Sequence, residues 1–475
     1  MREEKSDIGM VGLGVMGRNL VLNIADHGFS VAGYDKDSDK VDKLAEAAGE
    51  RKITGVKNSR ALIGALRSPR AVIMLVPAGK AVDSVIQDLR PHLEEGDLII
   101  DGGNSHYVDT DRRAAELSKG GIHFFGMGIS GGEAGARHGP SMMPGGDREA
   151  YEHVKPILEA AAAKVNGDPC VTYLGPRSAG HYVKMVHNGI EYAIMQLIAE
   201  SYDIMKRGFG LGNDELGQVY SEWRDGELHG YLIEITADIF QQPDALGGGR
   251  LIDHILDAAK QKGTGMWTAQ SAMDLQVPTM TIDTAVAMRN LSADKEGRAA
   301  AAAALGSPER RLKAGTPELL AQLKEAMYAA VIISYAQGMA LLRVASKEMA
   351  YDLKLADVAK IWRGGCIIRS DLLEPIRSAY GSQPDLTNLL LDEDLGGEVV
   401  KRQGDLRAVI SAALGAGIPC PALMASLGYF DGLRSAWLPA NLIQAQRDYF
   451  GSHTYERVDR SGIFHTEWAG REEKS

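Results

Sequence analysis

The stretch Gly12-Leu13-Gly14-Val15-Met16-Gly17 stands between a short apolar run, 8–11, and a segment of helical pattern. Glycines at this spacing permit a tight turn and let the N-terminus of a helix approach a pyrophosphate. With a strand before it and a helix after it, the motif reads as a dinucleotide fingerprint. Further apolar runs at 31–34, 71–76, 98–100 and 123–125 alternate with helical stretches. Each run is nearly continuous, as in parallel strands covered on both faces. The order predicts an α/β, Rossmann-like doubly wound domain over residues 1–177, with right-handed crossovers.

After Gly175-Pro176 long helical windows take over, 183–207 and 317–344 among them. A weak repeat runs through this part. "EYAIMQLIAESY" from Glu191 resembles "MYAAVIISYAQG" from Met327, an offset of 136 residues. Trp223-Arg224-Asp225-Gly226 matches Trp362-Arg363-Gly364-Gly365 at an offset of 139. Two helical units in tandem explain both matches. Residues 178–434 are therefore expected to form a large all-α domain built as a tandem helical repeat, and the alanine run 299–304 reads as part of a helix. The aromatic-rich C-terminal tail, 435–475, is too short for a domain. It is expected to pack on its own chain or to reach a second subunit.

The first helical window carries an unexpected polar set. Lys184, His187, Asn188 and Glu191 fall at i, i+3, i+4 and i+7, one face of a helix, with Met185, Val186 and Ile190 between them. At offset 136 the second unit has Leu320, Leu323, Lys324 and Met327, so helix packing does not itself require that set. Two further stretches point to a ligand. "DGGNS" (101–105) ends the fourth predicted strand, and open α/β sheets bind ligands beyond such carboxyl ends. The glycine-rich stretch 128–136 is expected to be a loop whose N–H groups can hold a carboxylate or phosphate. At the end of the second predicted strand, Asp35 suits a ribose 2′-hydroxyl and so favours NAD, although Lys36 beside it can compensate.

A formal net charge of −11 argues against nucleic acid or an anionic membrane as partner, and an anionic substrate needs a local cluster of cations. The charged N-terminus MREEKSDIG and the lack of an apolar run of about eighteen residues argue against a signal peptide or a spanning helix. Cys170, Cys366 and Cys420 are too few and too far apart for a disulfide framework or a zinc site. A soluble chain in the reducing cytoplasm, without a metal, is expected.

The fingerprint, DGGNS, the Ser130-Gly131-Gly132 stretch and the Lys184 helix, in this order, resemble the β-hydroxyacid dehydrogenases. Four longer motifs, "GISGGEAGARHGPSMMPGG", "KMVHNGIEY", "QKGTG" and "NLIQAQRDYFGSHTYE", are more similar still to the 6-phosphogluconate dehydrogenase family, and the resemblance runs from about residue 8 to 456. It implies metal-free oxidation of 6-phosphogluconate at C3 and decarboxylation to ribulose 5-phosphate and CO2, a step of the pentose phosphate pathway. It makes Lys184 the general base and then acid, and Glu191 the acid at C1. A lysine desolvated among glycine and apolar neighbours has a depressed pKa, and burial raises that of a carboxyl, which suits both roles.

By the same resemblance Asn104, Ser130, Gly131, Gly132, His187, Asn188, Tyr192, Lys262, Thr264, Arg289, Arg447 and His453 contact the substrate. Gly12, Gly14, Val15, Met16, Gly17, Asp35, Lys36, Val76, Pro77, Ala78 and Asn104 contact the cofactor. Arg447 and His453 complete the partner's site in a homodimer that exchanges tails; whether dimers pair into tetramers is left open by the sequence. The family implies NADP. Many relatives, however, carry Asn-Arg-Thr/Ser where this chain has Asp35-Lys36-Asp37, and often lysine where it has Pro77, so NAD is expected to be tolerated or preferred. Met266 replaces another common lysine, while Lys262 is intact. The competing readings are a non-decarboxylating β-hydroxyacid dehydrogenase, which leaves Glu191 and the tail without a purpose, and an idle nucleotide-binding scaffold.

Overall fold

In the computed structural model, residues 5–306, 311–312 and 316–468 are described. The N-terminal part holds a seven-stranded sheet: β1 (Ile8–Val11), β2 (Val31–Tyr34), β3 (Ile53–Gly55), β4 (Ala71–Met74), β5 (Leu98–Asp101), β6 (His123–Ser130) and β7 (Ser141–Gly145). Its order is β3-β2-β1-β4-β5-β6-β7. All pairs are parallel except β6–β7, in which Gly126 to Ser130 run antiparallel to Gly145 to Ser141. Alternate residues serve two cores. Ala71 and Ile73 join Ile8, Leu98 and Phe125 on one face, while Val72 joins Val11, Ile99 and Phe124 on the other. That two-sided burial is why the runs read as continuous.

Three strands differ from expectation, among them β7, which no apolar run marked. The edge strand β3 is short and mostly exposed, so no apolar run marks it. The stretch expected as a loop, 128–136, is instead the end of β6 followed by the helix Gly132–His138. Its strand glycines serve close packing rather than a turn.

Among the described residues, the main helices after residue 178 form two runs of five, separated by the helix Lys295–Leu305 that holds the alanine run. The first run is Ala179–Asp203, Asn213–Arg224, Tyr231–Gln241, Thr264–Asp274 and Met280–Ala293; the second is Thr316–Glu348, Leu355–Trp362, Leu373–Ser382, Glu393–Gly415 and Pro421–Leu433. The runs interlock. Gly230 bridges Ser370, with Tyr231 N donating to Arg369 O (3.0 Å) and Asp371 N to His229 O (3.2 Å). Glu200, on the first long helix, accepts the Ala422 and Leu423 N–H groups (2.8 and 2.9 Å) at the start of the last helix of the second run. Gln337, on the second long helix, accepts the Thr281 N–H (2.9 Å) at the start of the last helix of the first. Each long helix thus satisfies otherwise orphaned donors of the opposite run. The segment Pro317–Glu348 is long and apolar enough to cross a membrane, yet 78% of its apolar window is buried inside the protein, as in a core helix.

The chain divides into two compact units, Met1–Leu427 and Gly428–Ser475. Within the second, the buried Asp448 carboxylate gathers the Thr454 and Thr466 N–H groups and the Trp468 indole, tying the helix Ala440–Gly451 to the hairpin of Tyr455–Glu456 and Ile463–Phe464. Leu442, Ile443 and Phe450 on that helix remain exposed.

Candidate active site

Order reverses around β1, whose neighbours are β2 and β4, and ligands of open α/β sheets bind at such a switch point. Gly12 adopts φ +93°, and a Cβ there would run into Leu75 O. The helix Val15–Asp26 begins at Gly14 with no acid in its first turn and no side-chain cap. Its N-terminal N–H groups and dipole therefore suit a pyrophosphate. A cleft of about 400 Å³ opens beside them, lined by Gly12, Gly14, Tyr34, Asp35, Lys36, Val76 and Pro77 among others. Val15 and Ala78 are exposed and Met16 half-buried, whereas Gly17 is buried because a Cβ there would meet Gly12 O. The residues fit a dinucleotide.

Asp35 is already engaged. Its carboxylate accepts the Leu13 N–H (2.7 Å) and the Asp37 N–H (3.0 Å) and lies 3.6 Å from Lys40 Nζ. Lys36 turns to Ser84 Oγ and Asp88, each 3.1 Å away.

The helix Ala179–Asp203 starts across β6 and β7. A Cβ at Gly180 would collide with Met143 O and one at Gly128 with the Lys184 side chain, so glycines allow this helix to lie directly on the sheet. That contact sets Lys184 beside the last residues of β6. Lys184 is 5% exposed. Burial pushes its pKa down, opposed by the charge of Glu191. Glu191, with a side chain 20% exposed, is shifted the other way: burial raises its pKa, opposed by Lys184 and then Arg289. A lysine whose burial favours the neutral amine and a carboxyl whose burial favours the protonated form thus share one helix face.

His187 is wholly enclosed, so in this structure it faces other side chains rather than an open cleft. Burial, then the Lys184 charge, holds its pKa well below the usual value. Its Nδ1 lies 2.9 Å from Asn188 Oδ1 and 3.3 Å from Lys184 Nζ; its Nε2 lies 3.1 Å from Ser130 Oγ and 2.9 Å from Cys366 Sγ. The network assigns the ring proton to Nδ1, donating to Asn188, and leaves Nε2 to accept from Ser130. Ser130 Oγ in turn accepts the Ile367 N–H at 3.1 Å. A neutral Lys184 amine suits its place 3.3 Å from the protonated His187 Nδ1.

Asn188 Nδ2 donates to Thr264 Oγ1 at 3.0 Å, at the N-terminus of the helix Thr264–Asp274, which starts from Gly263 without a side-chain cap. Tyr192 packs on Gly265, and the Arg289 guanidinium lies 3.6 Å from the centroid of the Tyr192 ring. Lys262 is exposed beside this helix start, and Asn104 is exposed on the loop after β5. Gly131, at φ +111°, packs on Gly365 O, with Gly132 exposed next to it. Arg447 and His453 belong to the second unit, where Arg447 donates to Gln444 (3.0 Å) and the His453 ring meets Phe450 edge-on. Sequence reasoning missed Cys366 and Ile367 as neighbours of Ser130 and His187. The signal for them was the repeated Trp-Arg motif, which they follow.

Comparison with known proteins gives the family. The 6-phosphogluconate dehydrogenase C-terminal domain matches residues 180–468, and the NAD binding domain of 6-phosphogluconate dehydrogenase matches 7–175. The chain belongs to the 6-phosphogluconate dehydrogenase family. The NADP(+)-dependent, decarboxylating 6-phosphogluconate dehydrogenase of Bacillus subtilis is 53% identical, over 98% of this chain and 99% of its own. The decarboxylating enzyme of Lactococcus lactis subsp. lactis is 48% identical, over 98% and 99%. Among solved structures, the Plasmodium falciparum 6-phosphogluconate dehydrogenase, studied as apo form and with NADP+ and 6-phosphogluconate, superposes with a TM-score of 0.94 at 45% identity. That match covers 97% of this chain and 100% of the other.

Proposed function

We propose that this chain oxidises and decarboxylates 6-phosphogluconate to ribulose 5-phosphate and CO2 while reducing NADP, with Lys184 and Glu191 in the proton-transfer roles. The carrying observation is the pair itself: a buried lysine with a lowered pKa and a carboxyl with a raised one, on the helix that crosses the nucleotide-binding sheet. Neutral Lys184 accepts the proton of the C3 hydroxyl. When bound, the nicotinamide supplies the hydride acceptor. The Lys184 ammonium then hydrogen-bonds the new keto oxygen, which draws in the electrons released as CO2 leaves. Glu191 delivers a proton to C1 of the resulting enediol.

The uncapped N-terminus of the Thr264–Asp274 helix, with Lys262, Tyr192 and Arg289 near it, receives the substrate phosphate. Asn104, Ser130, Gly131, Gly132 and Asn188 position the sugar acid, and His187 orients Lys184 and Asn188. Residues 1–177 carry the cofactor, 178–434 the substrate and the self-association surface, and 435–475 a tail that exchanges between the subunits of a cytoplasmic homodimer, bringing Arg447 and His453 to the partner. NAD is accepted as well, because Asp35 suits an unphosphorylated ribose. Release of CO2 and formation of ribulose 5-phosphate test the reading, and absence of turnover with both NADP and NAD overturns it.

A further inference from the structure

Arg113 is among the largest fully buried side chains, 1% exposed, and the chemistry above makes no use of it. It stands on the helix Tyr107–Ser118, which follows β5. Its Nε donates to Asp83 Oδ1 (2.8 Å) and its Nη2 to Gly79 O (3.0 Å), both at the start of the helix Lys80–Leu89. On the other side, Nη1 donates to Ser105 Oγ (3.4 Å) and lies 3.7 Å from Asp101 Oδ2. Asp101 closes the loop after β5 by accepting the Gly103 N–H (3.0 Å) and the Ser105 hydroxyl (2.6 Å). One planar guanidinium therefore joins the segment after β4, residues 75–79, to the segment after β5, residues 102–105. These carry Val76, Pro77, Ala78 and Asn104.

We propose that Arg113 is a positioning residue for the nicotinamide cofactor, fixing the spacing of the two segments between which the dinucleotide lies. The proposal rests on the cofactor reading given above. A buried ion pair is weak evidence of a purely stabilising role, since apolar packing often serves stability as well. The geometry calls for a rigid fork: Asp83, Gly79 and Ser105 accept its hydrogen bonds with the Asp101 carboxylate 3.7 Å away, and a lysine ammonium offers a single point in its place.

The test uses the full-length protein and its Arg113→Lys and Ser105→Ala variants, each shown by circular dichroism to be folded at the assay temperature. Calorimetric titration with NADP+ and, separately, with 6-phosphogluconate gives the two affinities. Arg113→Lys is expected to weaken NADP+ binding roughly 10-fold or more, because loop misplacement is costly at a preorganised site. Ser105→Ala is expected to weaken it about 3- to 5-fold, the effect of one lost hydrogen bond. Affinity for 6-phosphogluconate should fall by less than that for NADP+ in either, since of its proposed contacts only Asn104 lies on the joined segments. Variants that bind NADP+ like the unmodified protein, whatever their melting temperatures, overturn the positioning role. Should Arg113→Lys fail to fold, Ser105→Ala decides by the same criterion. An unmodified protein that binds neither NADP+ nor NAD+ overturns the cofactor reading instead.

Discussion

Gly128 on β6 lies so close to Lys184 that a Cβ between them would overlap the lysine side chain. The strand thereby fixes the position of the base. Gly128→Ala is expected to lower kcat roughly 100-fold, since a displacement on the order of 1 Å at a reacting group has that effect. Binding of NADP+ should be nearly unchanged, because the Gly12–Gly17 turn is untouched. Steady-state rates combined with cofactor titration check both halves.

The proposed chemistry needs Lys184 neutral and Glu191 protonated. Burial lowers the lysine pKa, so its neutral fraction grows as pH rises through that value, and the acid limb of the kcat profile follows Lys184. Burial raises the Glu191 pKa, so its proton is retained to higher pH than usual, and its loss produces the alkaline limb. The limbs report apparent values of the coupled pair. Glu191→Gln should lower kcat about 100- to 1000-fold while sparing substrate and cofactor binding, and should flatten the alkaline limb. Lys184→Ala should abolish oxidation. An alkaline limb that persists in Glu191→Gln removes Glu191 from the acid role.

Asp35 accepts the Leu13 N–H within the fingerprint turn while its charge faces the cofactor cleft. Asparagine keeps an acceptor oxygen for Leu13 and removes the charge that repels a 2′-phosphate. Asp35→Asn is therefore expected to shift the ratio of kcat/KM toward NADP over NAD by roughly 10-fold or more, about 1.4 kcal/mol in the transition state. Rates with both cofactors measure it. A starting preference for NADP beyond about 1000-fold, some 4 kcal/mol, contradicts the assigned role of Asp35.

Glu200 is 3% exposed and its pKa is raised to about 7, chiefly by burial and against the Ala422 and Leu423 N–H groups that favour the anion. A carboxyl whose folded pKa exceeds its unfolded value binds more protons when folded. Its contribution is thus fully present below the unfolded value near 4.5 and declines as pH rises to about 7. The swing is on the order of 3 kcal/mol. Urea midpoints at mildly acidic and mildly alkaline pH should show the decline, and Glu200→Gln should reduce the difference between them. An equal difference in the variant excludes Glu200 as its source.

Local signals made the nucleotide sheet legible: the glycine spacing and the unbroken apolar runs each lie within a few residues. The edge strand β3 escaped because an exposed Ile-Thr-Gly triplet has no apolar signature. Strand β7 lies in a segment rich in glycine and proline that looks like a turn, although its residues are buried. The polar face from Lys184 to Glu191 was legible from helical period, and the desolvation of Lys184 from its glycine and apolar neighbours, whereas the complete enclosure of His187 was not. Cys366 reaches His187 across 179 residues of chain and Ile367 reaches Ser130 across 237. Contacts of that range arise only when the second helical run folds back on the sheet.

The reciprocal caps of Glu200 and Gln337 have a consequence for what can be separated from what. A chain opened in the connection between the two runs yields two fragments, each presenting the N–H groups of a terminal helix whose acceptor lies on the other fragment. In either piece those N–H groups would turn to water instead of the opposite run. The two helical runs are thus tied to each other within one polypeptide, the run without the polar face accepting a helix terminus of the run that carries it, and the reverse.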